Sequence, residues 1–151
     1  MSKPIITKQM LIDADACSDQ VDLFEKTFGD SVVVTISRAK KVAHLFQWDW
    51  ATHLLDEQGR GEYKRARAPA RAKLNRATAP ALAEYKRVGA TALAKYNRTD
   101  AAALAEYWRD IEEALAELYR AKAAAFGKYG RAMATAWATA FIDMHKRGES
   151  A

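Results

Sequence analysis

Three residue types are scarce in this 151-residue chain: cysteine, with one copy, and proline and histidine, with three each. A single thiol, Cys17, excludes an internal disulfide framework and a multi-cysteine zinc site; on an apolar helix face it reads as a small core residue. His44 and His53 have no carboxylate or cysteine at a ligand-like spacing, so no metal is expected. No apolar run approaches the roughly 18 residues of a membrane span, and the first residues lack the basic-then-apolar layout of a signal peptide. The expectation is a soluble, cytoplasmic protein without a membrane partner. Glycine-rich phosphate loops, nucleophile elbows and pairs of apolar-flanked carboxylates are missing too, and Glu112 and Glu113 read as helix surface. No enzymatic activity and no cofactor are therefore expected.

Charge is plentiful and unevenly divided. Residues 1–59 hold six basic and nine acidic side chains, a balance of −3, whereas residues 60–151 carry +8. An acidic head joined to a basic tail suggests two modules, with a polyanion among the partners of the second. Half of the residues are apolar, but much of that half is alanine, so a substantial core is expected only where Phe, Trp, Leu and Val gather.

The head spans residues 1–57. Met10, Leu11 and Ala14 have helical spacing; Ser18 can cap a second helix carrying Val21, Leu23, Phe24 and Phe28, with Gly29 as its stop. The β-branched run "SVVVT" (31–35) has no evident strand partner and is expected to be a connection, with Thr35 capping a third helix through Phe46. In "FQWDWATHLLD" (46–56), Trp48 and Trp50 cannot share a helix face, whereas Phe46, Trp50 and Leu54 can. In a small helical module such tryptophans are core anchors more often than stacking platforms for bases or sugars.

From residue 62 to 138 the chain divides into seven lines of eleven: EYKRARAPARA, KLNRATAPALA, EYKRVGATALA, KYNRTDAAALA, EYWRDIEEALA, ELYRAKAAAFG and KYGRAMATAWA. Eleven residues make close to three helical turns of about 3.6 residues each, so a repeat of this length keeps one stripe facing one partner along a nearly straight helix. Line positions two, nine and ten fall within about one quadrant, with position six between them. The stripe comprises Tyr85, Leu93, Tyr96, Leu104, Tyr107, Leu115, Leu118, Phe126, Tyr129 and Trp137. It is too long for the head to cover, which calls for a homo-oligomeric coiled coil or a helical hairpin; alanines at positions nine and eleven permit close approach in either.

Position four is arginine throughout: Arg65, Arg76, Arg87, Arg98, Arg109, Arg120 and Arg131. At about 1.5 Å per residue these stand roughly 16 Å apart, on the face opposite the tyrosines. They read as a solvated face supported by pairs such as Glu84 with Arg87, or as a ladder for nucleic-acid phosphates or an acidic protein. Pro69 and Pro80 share position eight, and each would break a helix interior at about 3 kcal/mol. Residues 58–78, with Gly59 and Gly61, are accordingly expected to be a basic, irregular linker, and residues 79–147 the helical repeat region starting at Thr78 and Pro80. Gly127 with Gly130, and "NRTD" (97–100), mark two hinge candidates. The fold class expected is all-α: a small helical head plus a long helix or helical hairpin.

"ACSDQVDLFEKTFGDSVVVT" (16–35), "FQWDWATHLLD" and the repeat unit "APALAEYKR" (79–87) together resemble a family of small bacteriophage and prophage proteins with a helical head and eleven-residue Ala/Tyr/Arg repeats. Pro69 and Pro80 fit that family's Ala-Pro variant of the repeat. The resemblance implies a phage-associated protein in the bacterial host cytoplasm, and brings no activity or site residues with it. The functional expectation is a helical oligomer binding a phage or host protein, inhibition of a host defence factor being one such role. The alternatives are nucleic-acid binding through the basic repeat face and a structural part of a virion.

Overall fold

The computed structural model describes residues 2–97 and 101–150. The fold is all-α, dominated by two long helices, α5 (Glu57–Tyr96) and α6 (Ala101–Ser150), behind a small head. The chain forms two compact units: Met1–Ala70 with Gly130–Ala151, and Arg71–Tyr129.

In the first unit, strand β1 (Ile5–Thr7) leads into α1 (Lys8–Asp13), whose first turn is closed by the Thr7 hydroxyl accepting the Met10 amide at 3.2 Å. Helix α2 (Ser18–Phe28) begins with Ser18 inside its first turn, Cys17 standing at the cap without a side-chain bond. It stops at Gly29, whose φ of +75° suits a residue without a Cβ. The run at 31–35, expected as a connection, contains strand β2 (Ser31–Val33), paired antiparallel with β1 in the register Ile5 to Val33, Ile6 to Val32 and Thr7 to Ser31. Thr35 does cap α3 (Ile36–Lys41), but that helix ends well short of Phe46. The Ala43 carbonyl, needed by a continuing helix, instead accepts the Trp48 indole N–H at 3.0 Å.

Across helix α4 (Trp48–Ala51) and a 3₁₀ turn (Thr52–Leu54) the tryptophans divide: Trp48 is buried and Trp50 is half-buried. Trp48 meets Trp137 of α6 at 5.4 Å between ring centroids, Trp137 stacks on Phe141 at 5.2 Å, and the Trp137 indole donates to Ala51 O at 2.8 Å. Arg147 reaches Glu62 at 3.1 Å and Asp56 at 3.4 Å, tying the end of α6 to the start of α5.

Residues 58–78, expected to be irregular, are helical throughout. Asp56 supplies the start signal, its carboxylate accepting the Gly59 amide at 2.6 Å. Pro69 and Pro80 lie inside α5 and are both exposed. The carbonyls each deprives of an amide partner belong to Arg65 and Arg76, exposed residues where water can serve them. Gly127 and Gly130 lie within α6 and interrupt nothing. Of the other hinge candidate, Asn97 follows the end of α5 and residues 98–100 lie outside the described residues.

The second unit is an antiparallel pairing of the C-terminal part of α5 with the N-terminal part of α6. Tyr96 meets Tyr107 at 5.7 Å, Lys95 approaches Glu106 at 3.7 Å, and a Cβ at Gly89 would meet Ile111 Cδ1 at 3.6 Å.

Candidate functional site

The repeat packs on line positions two, six and nine. Position nine is alanine in every line and is buried or half-buried in every line; position two is likewise inward, with Tyr63 and Leu118 buried, Tyr85, Tyr107 and Tyr129 half-buried, and Tyr96 more open. Position six places Ile111 and Met133 in the same seam. Position ten, expected in the packed stripe, is displaced to its flank: Leu104 and Leu115 are half-buried, only Trp137 is buried, and Leu82, Leu93 and Phe126 are exposed. Small alanines at position nine bring the helix axes together and leave the larger neighbour at ten outside the seam.

The two sides of the Arg71–Tyr129 hairpin differ in chemistry. One side carries a groove of about 320 Å³ at which Glu84, Asp110, Glu113 and Glu117 converge, with Lys95 reaching Glu106 and Asp110 on that same side. Arg87 holds Glu84 through hydrogen bonds of 2.6 and 2.9 Å, keeping that carboxyl below the ordinary range and the guanidinium above it. At about 100° per residue, and because antiparallel helices bring equal offsets to the same side, positions three and ten of both helices fall on the opposite side. There stand Leu82 (37% exposed), Leu93 (49%), Trp108 (55%), Tyr119 (62%) and Phe126 (52%). Trp108 and Tyr119 occupy position three, where the other lines have Lys, Asn or Gly. Sequence reasoning passed over both, although two aromatics breaking a polar column were the available signal.

The arginines at position four are spread out rather than gathered. Arg65, Arg76, Arg87, Arg109, Arg120 and Arg131 are all exposed, and Arg98 lies outside the described residues. Arg87 pairs with Glu84 and Arg120 with Glu117 at 3.8 Å, as the supported-face reading expects of i, i+3 partners.

Within the first unit, a cavity of about 80 Å³ is lined almost wholly by apolar side chains, including Phe24, Phe28, Phe46, Trp48 and Trp137. Among the described residues no cluster of His, Cys, Asp and Glu is arranged to hold a metal, and no helix is long and apolar enough to cross a membrane. No protein-family model, no curated protein and no solved structure matches the chain.

Proposed function

We propose that the chain is a non-enzymatic interaction protein whose Arg71–Tyr129 hairpin carries the protein-binding surface. The observation behind this reading is the exposed row of Trp108, Tyr119 and Phe126 with Leu82 and Leu93 on a single side. An apolar patch of this kind on a soluble domain marks a docking surface, and Trp and Tyr are the residues that most often carry binding energy there. The resemblance of the head segments and the repeat unit to phage proteins directs the search for partners to phage and bacterial host proteins, a host defence factor among them.

The test is a variant with Trp108→Ala, Tyr119→Ala and Phe126→Ala. Exposed as they are, these changes should leave helicity unchanged while abolishing association with a protein partner in pull-down and light scattering. Unchanged association would exclude this side as the binding surface.

A second reading, nucleic-acid binding, is favoured by the exposed arginines of α5, with Arg71 and Lys73 between Arg65 and Arg76. Phosphate contacts of that kind would lose about 10³-fold or more in affinity between low and moderate salt. Changing Arg65, Arg76 and Arg87 to Gln separates the two readings: it should remove duplex binding and leave protein association intact.

A further inference from the structure

We infer that the apolar cavity of the first unit is a binding site for a short- to medium-chain fatty acid, its alkyl end enclosed and its carboxylate held by Arg38. The site lies wholly within the first unit, so it stands or falls apart from the protein-binding reading.

The walls of the cavity are braced against collapse. Phe28 stacks on Phe46 at 5.9 Å between ring centroids, Phe46 meets Trp48 edge-on at 6.3 Å, and Trp48 meets Trp137 at 5.4 Å. The indole N–H groups of Trp48 and Trp137 are committed to the Ala43 and Ala51 carbonyls, which leaves these rings only carbon surface to offer. Water entering such a space finds too few of the two to four polar partners it needs, whereas an alkyl group restores the missing packing contacts. Leu11, Phe24, Trp48 and Trp137 are buried, but Phe28, Phe46 and Trp50 are half-buried. The cavity therefore runs from the core to the surface, and a ligand can enter.

Size and charge identify the occupant. An enclosed apolar space of about 150 Å³ is what takes a benzene ring. At about 80 Å³ this one is too small for a ring and suits the end of an alkyl chain. At about 30 Å³ for each water-sized group, roughly three methylenes fill it, and further ones lie under the half-buried rings. Among the residues lining the cavity Arg38 alone is charged. Its Nη1 donates to the Val33 carbonyl at 2.9 Å, which fixes the guanidinium beside β2, and it is in no ion pair among the described residues. The remaining N–H groups are donors without an acid, on a helix, α3, that carries Arg38, Lys40 and Lys41 and no acidic residue. The acceptors nearby are already engaged: the Gln20 side-chain oxygen takes the Gln47 amide at 3.2 Å, and the Thr35 hydroxyl takes the Arg38 amide at 3.2 Å. An apolar cavity with one fixed cation and spare donors at its wall is complementary to an alkyl carboxylate. Arg38 also borders a more polar groove of about 420 Å³ that includes Thr27 and Ser31, so the carboxylate keeps access to water.

Calorimetric titration of the full chain with butanoate, hexanoate and octanoate tests this. Affinity should rise by about three- to fourfold for each added methylene until the site is full. Arg38→Gln, at an exposed position, should weaken octanoate by about tenfold or more and shift neutral 1-octanol by less than about twofold; a purely structural role would move both. Ala39→Leu adds three carbons to the cavity wall and should abolish binding of both ligands while raising Tm; if that variant does not fold, the chain-length series and Arg38→Gln decide alone. A wild type giving no heat with millimolar octanoate, an affinity flat with chain length, or octanoate binding indifferent to Arg38→Gln would each overturn the inference. Benzoate binding more tightly than hexanoate would overturn the alkyl assignment. Co-sedimentation with vesicles of anionic phospholipid, without octanoate binding, would assign the site to a lipid surface and overturn the free acid.

Discussion

Among the described residues Phe141 is the most enclosed large side chain, and its face is covered by Trp137 stacked at 5.2 Å. Removing it opens a cavity that the surrounding helix cannot fill. Phe141→Ala should cost about 3–5 kcal/mol of unfolding free energy in urea, whereas Trp108→Ala at an exposed site should cost under about 1 kcal/mol in the monomer. Lys8 and Glu25 make the ion pair that joins α1 to α2 at 2.6 Å, and the hydrogen bond to Glu25 raises the ammonium above the ordinary lysine value. A raised value means the folded state holds the proton more tightly, so the contribution is fully present at neutral pH and is lost as pH rises through the raised value. A Lys8→Met variant should therefore lack the part of the alkaline decline in Tm that the wild type shows above the ordinary lysine range.

At the level of elements, the two prolines of α5 are the most direct check on its continuity. Each removes one amide and crowds one carbonyl of an unbroken helix, so Pro80→Ala should stabilise the protein by up to about 3 kcal/mol, measured as an increase in the urea midpoint. A loss of stability would mean that residue 80 begins a helix instead of lying inside one. The same prolines show where the sequence was hard to read. Their local propensity argues for a break at 58–78, but Tyr63, Ala70, Leu74, Thr78 and Ala81 continue the seam through that stretch, and tertiary packing prevails over propensity. The eleven-residue period revealed a long apolar seam and hence paired helices. It did not separate position nine from position ten, because both lie within a quadrant on the wheel and only the closeness of the partner helix decides between them. Strand β1 was hidden for a different reason: three residues signal little alone, and their partner lies 26 positions further on, Ile6 against Val32. Thr35 and Gly29 were legible because a cap and a left-handed stop are written in the residue itself.

For the whole molecule, the division of labour between the two sides of the hairpin makes distinct demands on solution conditions. Association through Trp108, Tyr119 and Phe126 buries apolar surface and should depend only weakly on salt. Binding through the arginines should fall steeply, so titrating a duplex DNA at about 50 mM and about 200 mM salt assigns the +8 charge of residues 60–151 to a nucleic-acid role or to a solvated face. Both demands presuppose that α5 and α6 fold back on one another over residues 71–129. The most direct measurement is the distance between spin labels at Glu84→Cys and Glu117→Cys, in a Cys17→Ser background diluted with unlabelled protein. Both positions line the groove on the side away from Trp108 and Tyr119. Helices packed at about 8–10 Å between axes should give a label separation of roughly 10–20 Å. A separation near the roughly 50 Å that 33 residues of one uninterrupted helix would span would contradict the hairpin and the surface built on it.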